Sequence, residues 1–108
     1  MTARQMYDFA IGQVAYYERQ IEFINKHLGF CNRELARSRS EDRRIAKYAM
    51  ETDGSDPLTA RIFGGNYVST DTRKLMNERA HYYRERKISK ARIAHYRKEA
   101  EYWERFIG

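Results

Sequence analysis

The chain has 108 residues, of which 33% are charged and 42% hydrophobic, and its 21 basic and 15 acidic side chains give a formal net charge of +6. This length limits it to one domain, and an aromatic content of 14% excludes the composition of a disordered chain. No apolar run is long enough to span a bilayer, and a single cysteine permits no intramolecular disulfide. We therefore expect a reducing, cytoplasmic setting and no membrane partner.

A heptad pattern runs without a slip from residue 7 to residue 49. Spacings that alternate between three and four residues keep one stripe of a helix facing a partner helix along its whole length. The a and d positions of this pattern are Tyr7, Ala10, Val14, Tyr17, Ile21, Ile24, Leu28, Cys31, Leu35, Ser38, Asp42, Ile45 and Ala49. All but Ser38 and Asp42 are apolar or aromatic, and at its d position Cys31 is expected to be a small buried thiol.

The first helix is predicted over residues 3–50. Thr2 and Gln5 form a capping box at its start. Gly12 and Gly29 each cost about 1 kcal/mol inside a helix, so a kink near residue 29 is one alternative. A break near residue 38 is another, because Ser38 and Glu41 form a second capping box. Continuity is the better prediction, since the heptad register passes both glycines unchanged.

A connector is predicted over residues 51–70, with a short helix over 57–63. Asp56 is a helix-capping residue, Pro57 suits the first helical position, and Gly64 suits the position just past the end. The second long helix is predicted over residues 71–107, capped by Ser69, Thr70 or Asp71. Its apolar stripe comprises Leu75, Tyr82, Ser89, Ile93, Tyr96, Ala100, Trp103 and Ile107. Arg79 and Arg86 interrupt the first half of this stripe.

These elements predict an all-α fold, a long antiparallel helical hairpin with a coiled-coil-like seam in a single domain of residues 1–108. The large rings are too many for one two-helix seam, so we expect a homodimer that forms a four-helix bundle. The residues expected in the core or the dimer seam are Val14, Tyr17, Ile21, Ile24, Leu28, Leu35, Ile93, Tyr96, Trp103 and Ile107.

Basic residues are concentrated in the second half of each long helix. The candidate binding residues for a protein partner or a nucleic acid are Arg84, Arg86, Lys87, Lys90, Arg92, Arg97, Lys98, Arg39, Arg43, Lys47, Tyr83 and Tyr102. Cations interleaved with rings could contact phosphates while the rings stack on bases. The alternative interpretation is a solvated surface that keeps the protein soluble.

Catalytic and metal-binding motifs are weak. Glu78 and His81 form a Glu-x-x-His motif. In a dimer, the two copies of this motif could supply ligands for a di-metal site in a four-helix bundle, but both positions lie off the apolar stripe. The sequence has no nucleophile motif and no phosphate-binding loop. We expect no enzymatic activity, no metal and no cofactor.

The leading interpretation is a non-enzymatic adaptor or inhibitor-type protein that binds another protein, one with an acidic surface, through an aromatic and basic helical face. Small basic helical proteins of this kind are common among accessory proteins of phages and mobile elements. One alternative is a nucleic-acid-binding bundle that contacts phosphates through residues 84–98. Another is a structural subunit of a larger assembly.

Overall fold

The computed structural model describes residues 1–53 and 67–108, and this part of the chain is all-helical, as predicted. Helix α1 covers Ala3–Asp53 and helix α2 covers Thr70–Glu104. The short helix predicted over 57–63 lies outside the described residues. In the described ranges, no helix is both long and apolar enough to cross a membrane.

Helix α1 begins at the predicted capping box, which is confirmed. The Gln5 backbone N–H donates to Thr2 Oγ1 at 3.2 Å, and the Thr2 N–H donates to Gln5 Oε1 at 2.9 Å. The helix then continues without interruption past Gly29 and Ser38. The alternative of a break near residue 38 is wrong, because the Ser38 hydroxyl bonds to Thr72 and does not cap a helix.

Helix α2 is capped by Ser69. The Thr72 backbone N–H donates to Ser69 Oγ at 3.2 Å, and the Arg73 N–H donates to the Ser69 carbonyl at 3.0 Å. The helix ends at Glu104. A turn follows, in which the Phe106 backbone N–H donates to the Trp103 carbonyl and the Ile107 N–H donates to the Glu104 carbonyl. The helical stretch thus ends three residues before the predicted residue 107.

The chain divides into two compact units, and the first comprises Met1–Leu28 and His81–Gly108. Here the start of α1 pairs antiparallel with the end of α2: Tyr17 bonds to Arg92, whereas Asn25 bonds to Arg86. The buried residues of this seam are Ala10, Ile24, Leu28, Ser89, Ile93 and Ala100. The order of these two hydrogen bonds along the helices confirms the predicted antiparallel pairing for this unit.

The second unit is Gly29–Ala80. Its buried side chains include Cys31 and Leu35 on α1 and Thr72 on α2. The predicted a and d positions of α1 are covered in this unit with one exception. Ile45 is 42% exposed, and it lies three residues beyond Asp42, which binds the first turn of α2.

Candidate interaction surfaces

Three residues of the basic run 84–98 are bonded to α1. Arg86 Nη1 donates to Asn25 Oδ1, Arg92 Nη1 donates to Tyr17 Oη, and Arg97 Nη2 pairs with Glu18 Oε1, each at 3.0 Å. The Arg92 guanidinium also lies 5.3 Å from the centre of the Tyr17 ring. These cations therefore join the two helices of the first unit, although Arg92 and Arg97 remain exposed.

The other four cations of the run are exposed. They are Arg84, Lys87, Lys90 and Lys98. None of them forms an ion pair with any residue of the described ranges. Of the seven cations of the run, Arg97 is the one whose charge is paired with a carboxylate in the described ranges, that of Glu18.

In the first unit, three large rings form an exposed row on α1. Phe9, Tyr16 and Phe23 are 51%, 46% and 55% exposed. They are seven residues apart and so lie on one side of the helix, about 10.5 Å from one ring to the next. These are c positions of the heptad, outside the seam. We call this row, together with Ile88 of α2, the aromatic edge.

Ring contacts attach the aromatic edge to the seam. The Phe9 and Tyr96 ring centroids lie 6.1 Å apart in an edge-to-face arrangement, and those of Tyr16 and Tyr17 lie 5.0 Å apart. A groove of about 610 Å³ runs beside them, and its lining is Tyr17, Ile88, Ala91, Arg92, His95 and Tyr96. Tyr17 and Tyr96 are half-buried in the seam, so the exposed rings of Phe9 and Tyr16 pack against fixed neighbours.

The opposite edge of the first unit is polar. Glu18 and Asn25 occupy e positions of α1, where they bond to Arg97 and Arg86. A hollow of about 270 Å³ beside them includes Ile11, Glu101 and Glu104 in its lining. The two edges therefore differ in chemistry, because one is bridged by charged and amide groups while the other exposes rings.

The two candidate tyrosines of α2 already have aromatic or cationic neighbours. The Arg86 guanidinium lies 5.1 Å from the centre of the Tyr83 ring. Tyr102 packs on Trp103 and Phe106, with ring centroids 5.0 Å and 5.3 Å away. Both tyrosines are more than 40% exposed, so each keeps surface for a partner.

In the second unit, the predicted basic row of Arg39, Arg43 and Lys47 is exposed along α1. Lys47 Nζ lies 4.0 Å from Glu51 Oε1. An exposed pair of this kind contributes at most about 0.5 kcal/mol. The row stays a candidate binding surface.

A buried polar cluster in the second unit was not predicted as a site. Thr72 Oγ1 donates to Asp42 Oδ2 at 2.6 Å, and the Ser69 backbone N–H donates to the same oxygen at 3.1 Å. Thr72 Oγ1 in turn accepts a hydrogen bond from the Ser69 hydroxyl at 3.0 Å. Because the Thr72 proton is donated to Asp42, Thr72 Oγ1 also accepts from the Ser38 hydroxyl, at 2.5 Å. The two polar heptad positions, Ser38 and Asp42, thus bind the first turn of α2.

These hydrogen bonds set the ionisation of Asp42. Burial raises the pKa of this carboxyl, but the hydrogen bonds from Thr72 and Ser69 outweigh burial and hold the pKa below its ordinary value. The N-terminus of α2, to which the carboxylate is bonded, also favours negative charge. Asp42 is therefore ionised at neutral pH and anchors α2.

Cys31 lies at the seam with little access to solvent. Burial raises the pKa of the thiol, and the nearby Glu78 carboxylate raises it further; Sγ donates to Glu78 Oε2 at 3.9 Å. The thiol is therefore protonated at neutral pH and a weak nucleophile.

The Glu-x-x-His motif has exposed side chains at both Glu78 and His81, and within the described residues no three metal-binding side chains cluster.

The predicted core or dimer-seam residues are all at least half-buried within a single chain. The buried ones are Ile24, Leu28, Leu35 and Ile93. The half-buried ones are Val14, Tyr17, Ile21, Tyr96, Trp103 and Ile107.

Phe9 and Phe23 were not predicted as part of a site. The signal that could have identified them is their position in the heptad, because with Tyr16 they occupy successive c positions seven residues apart.

Comparison with known protein families, curated proteins and solved structures finds no match to this chain.

Proposed function

We propose that this chain is a non-enzymatic interaction protein that binds other protein chains through its aromatic edge. The observation that carries the proposal is the row of Phe9, Tyr16 and Phe23, each about half exposed although the seam beside it is filled. A ring of this size contributes 150–250 Å² when buried, so the three together leave about 300 Å² uncovered. The largest apolar patch on a typical soluble monomer covers about 300–600 Å² and is often functional, and this row reaches that range.

The simplest occupant of this edge is a second copy, and two antiparallel hairpins packed on a two-fold axis would form a four-helix bundle. A two-fold interface places the same patch against itself. A chain of net charge +6 can do this only where the patch carries little charge of its own. The exposed members of the aromatic edge, Phe9, Tyr16, Phe23 and Ile88, carry no charge, and Arg92 is the one cation that lines the groove beside them.

In this proposal, adaptor or inhibitor activity toward another protein uses the surface that the dimer leaves open, which includes Tyr83 and Tyr102. A structural subunit of a larger assembly would use the same surfaces. Catalysis has no place in the proposal: the most perturbed nucleophile, Cys31, is buried with a raised pKa.

Sedimentation equilibrium tests the proposal. The wild-type chain is expected at twice its mass of 13.0 kDa, and a variant with Phe9→Ala, Tyr16→Ala and Phe23→Ala is expected as a monomer with unchanged helix content. Rings in interfaces are frequent sources of binding energy, so three truncations should weaken association by more than 100-fold. Ile11→Ala is the control, since Ile11 is 45% exposed on the opposite edge of α1.

Affinity capture from the source cell extends the test to other proteins. A protein retained by the wild type and by Ile11→Ala, but lost by the triple ring variant, would be a partner bound through the aromatic edge. A wild-type chain that is monomeric at high concentration and retains nothing would contradict the proposal.

A further inference from the structure

The outward side of α2 in the first unit is a stripe of cations and small residues. Residues 84, 87, 91, 94 and 98 follow the three-four spacing that keeps them on one side of a helix. The buried residues Ser89, Ile93 and Ala100 occupy the opposite side. We call Arg84, Lys87, Ala91, Ala94 and Lys98 the outer face of α2.

Within residues 84–98 this face carries no carboxylate, and exposed Glu101 lies at its end, three residues beyond Lys98. The only acid in residues 84–98 is Glu85, which is half-buried and therefore turned toward the seam. Arg86, Arg92 and Arg97 hydrogen-bond to α1, so within the described residues the exposed cations of this run that make no hydrogen bond to α1 are the three of the outer face and the neighbouring Lys90. A rod of positive charge about 21 Å long results.

The apolar residues of the outer face are too small to anchor a protein partner. Ala91 and Ala94 are exposed, and protein interfaces draw most of their binding energy from large buried side chains such as Trp, Tyr and Arg at the centre of a patch. Phosphate contacts need no such anchor, because they depend on cations that displace condensed counterions. Small residues between cations also allow a phosphate backbone to approach the helix closely.

We propose that the outer face of α2 binds the phosphate backbone of double-stranded nucleic acid. A duplex fits better than a single strand, because single-strand sites combine cations with rings on which bases stack. Tyr83 borders the face, and the Arg86 guanidinium lies over its ring. The site thus recognises phosphate charge, without base-specific contacts. Its cations lie outside the aromatic edge, although Ala91 lines the groove beside Ile88. Duplex binding therefore does not depend on the function proposed above.

Fluorescence anisotropy of a labelled 20-base-pair DNA duplex, titrated with the full chain, tests the site. Four phosphate contacts give a slope of about −3.6 for the logarithm of the binding constant against that of salt concentration. Between about 50 and 200 mM salt, the affinity should therefore fall about 100-fold. No measurable duplex binding at about 50 mM salt would overturn the proposal.

Matched charge reversals locate the site. Lys87→Glu with Lys98→Glu should weaken binding at least 10-fold and bring the slope to about −1.8, because two contacts are lost. Arg19→Glu with Lys26→Glu changes the net charge equally on exposed positions of α1, and should retain most of the affinity. Equal weakening by both pairs would overturn the site, since only the net charge would then matter.

Two further measurements separate this ligand from others. Ala94→Glu places one carboxylate on the exposed face between Lys90 and Lys98, and should weaken binding severalfold; unchanged binding would count against the site. Polyglutamate and a single strand of the same length serve as competitors. If either competed as well as the duplex, the face would bind an acidic protein or a single strand, and the duplex assignment would be overturned.

Discussion

At the scale of single residues, the buried carboxylate of Asp42 links the folding stability of the chain to pH. It is 5% exposed and accepts hydrogen bonds from Thr72 and from the Ser69 backbone at the first turn of α2. Its pKa in the folded chain lies below the ordinary value of 3.8. Ionised Asp42 therefore stabilises the folded state above that pH, and its contribution is lost as the pH falls through the lower, folded-state pKa.

Asp42→Asn should lower the free energy of unfolding at pH 7 by about 1 to 2 kcal/mol, because a charged acceptor becomes a neutral one. The difference from wild type should shrink as the pH falls below 3.8, since the wild-type carboxylate is then protonated as well. Urea titrations at several pH values, followed by circular dichroism, measure both. Asp8→Asn on the exposed start of α1 is the control, and a difference of the same size there would show that burial is irrelevant.

Leu35 and Ile45 occupy predicted seam positions with opposite burial, 1% and 42% exposed. Leu35→Ala should destabilise the chain by about 2 to 5 kcal/mol, because it removes apolar contacts and leaves a cavity. Ile45→Ala should cost about 0.5 kcal/mol or less. Thermal and denaturant unfolding of the two variants provides the comparison, and equal losses would contradict the described end of the seam.

At the scale of elements, the two glycines of α1 test how its continuity is maintained. A Cβ at Gly12 would meet no atom within 4 Å, and one at Gly29 would lie 3.5 Å from Arg33 Nη1, an ordinary contact. Alanine costs less backbone entropy in a helix than glycine. Gly12→Ala and Gly29→Ala should therefore each stabilise the chain by about 0.5 to 1 kcal/mol. Gly108→Ala, beyond the end of α2, should change nothing, and a loss of stability in either helical variant would indicate strain.

Heptad spacing and capping chemistry were sufficient to predict the two long helices, the start of α1 and the seam as far as Asp42. These signals are local, since a capping box needs only Thr2 and Gln5. The role of Asp42 was not predictable, because its partner Thr72 is 30 residues away, and a polar heptad position does not reveal what it bonds to. The sequence shows that residues 84–98 are basic. It does not show which of these cations contact α1, because the register of the two antiparallel helices decides that Arg92 bonds to Tyr17 and Arg97 to Glu18.

At the scale of the whole molecule, the two proposed surfaces have opposite electrostatics. The aromatic edge exposes Phe9, Tyr16 and Phe23, whereas the outer face of α2 exposes Arg84, Lys87 and Lys98. A net charge of +6 on each copy opposes the approach of two copies and favours the approach of a nucleic acid. Salt screens both effects.

Salt should therefore separate the two associations. Raising it from about 50 to 500 mM should leave self-association unchanged or make it several times tighter, because screening weakens the repulsion between two +6 chains and the rings bury apolar surface. Duplex binding should disappear over the same range, since counterion release no longer drives it. Sedimentation equilibrium at both salt concentrations, with and without the DNA duplex, measures both. A dimer that dissociates at high salt would instead be held by ion pairs, and the aromatic edge would not be its interface.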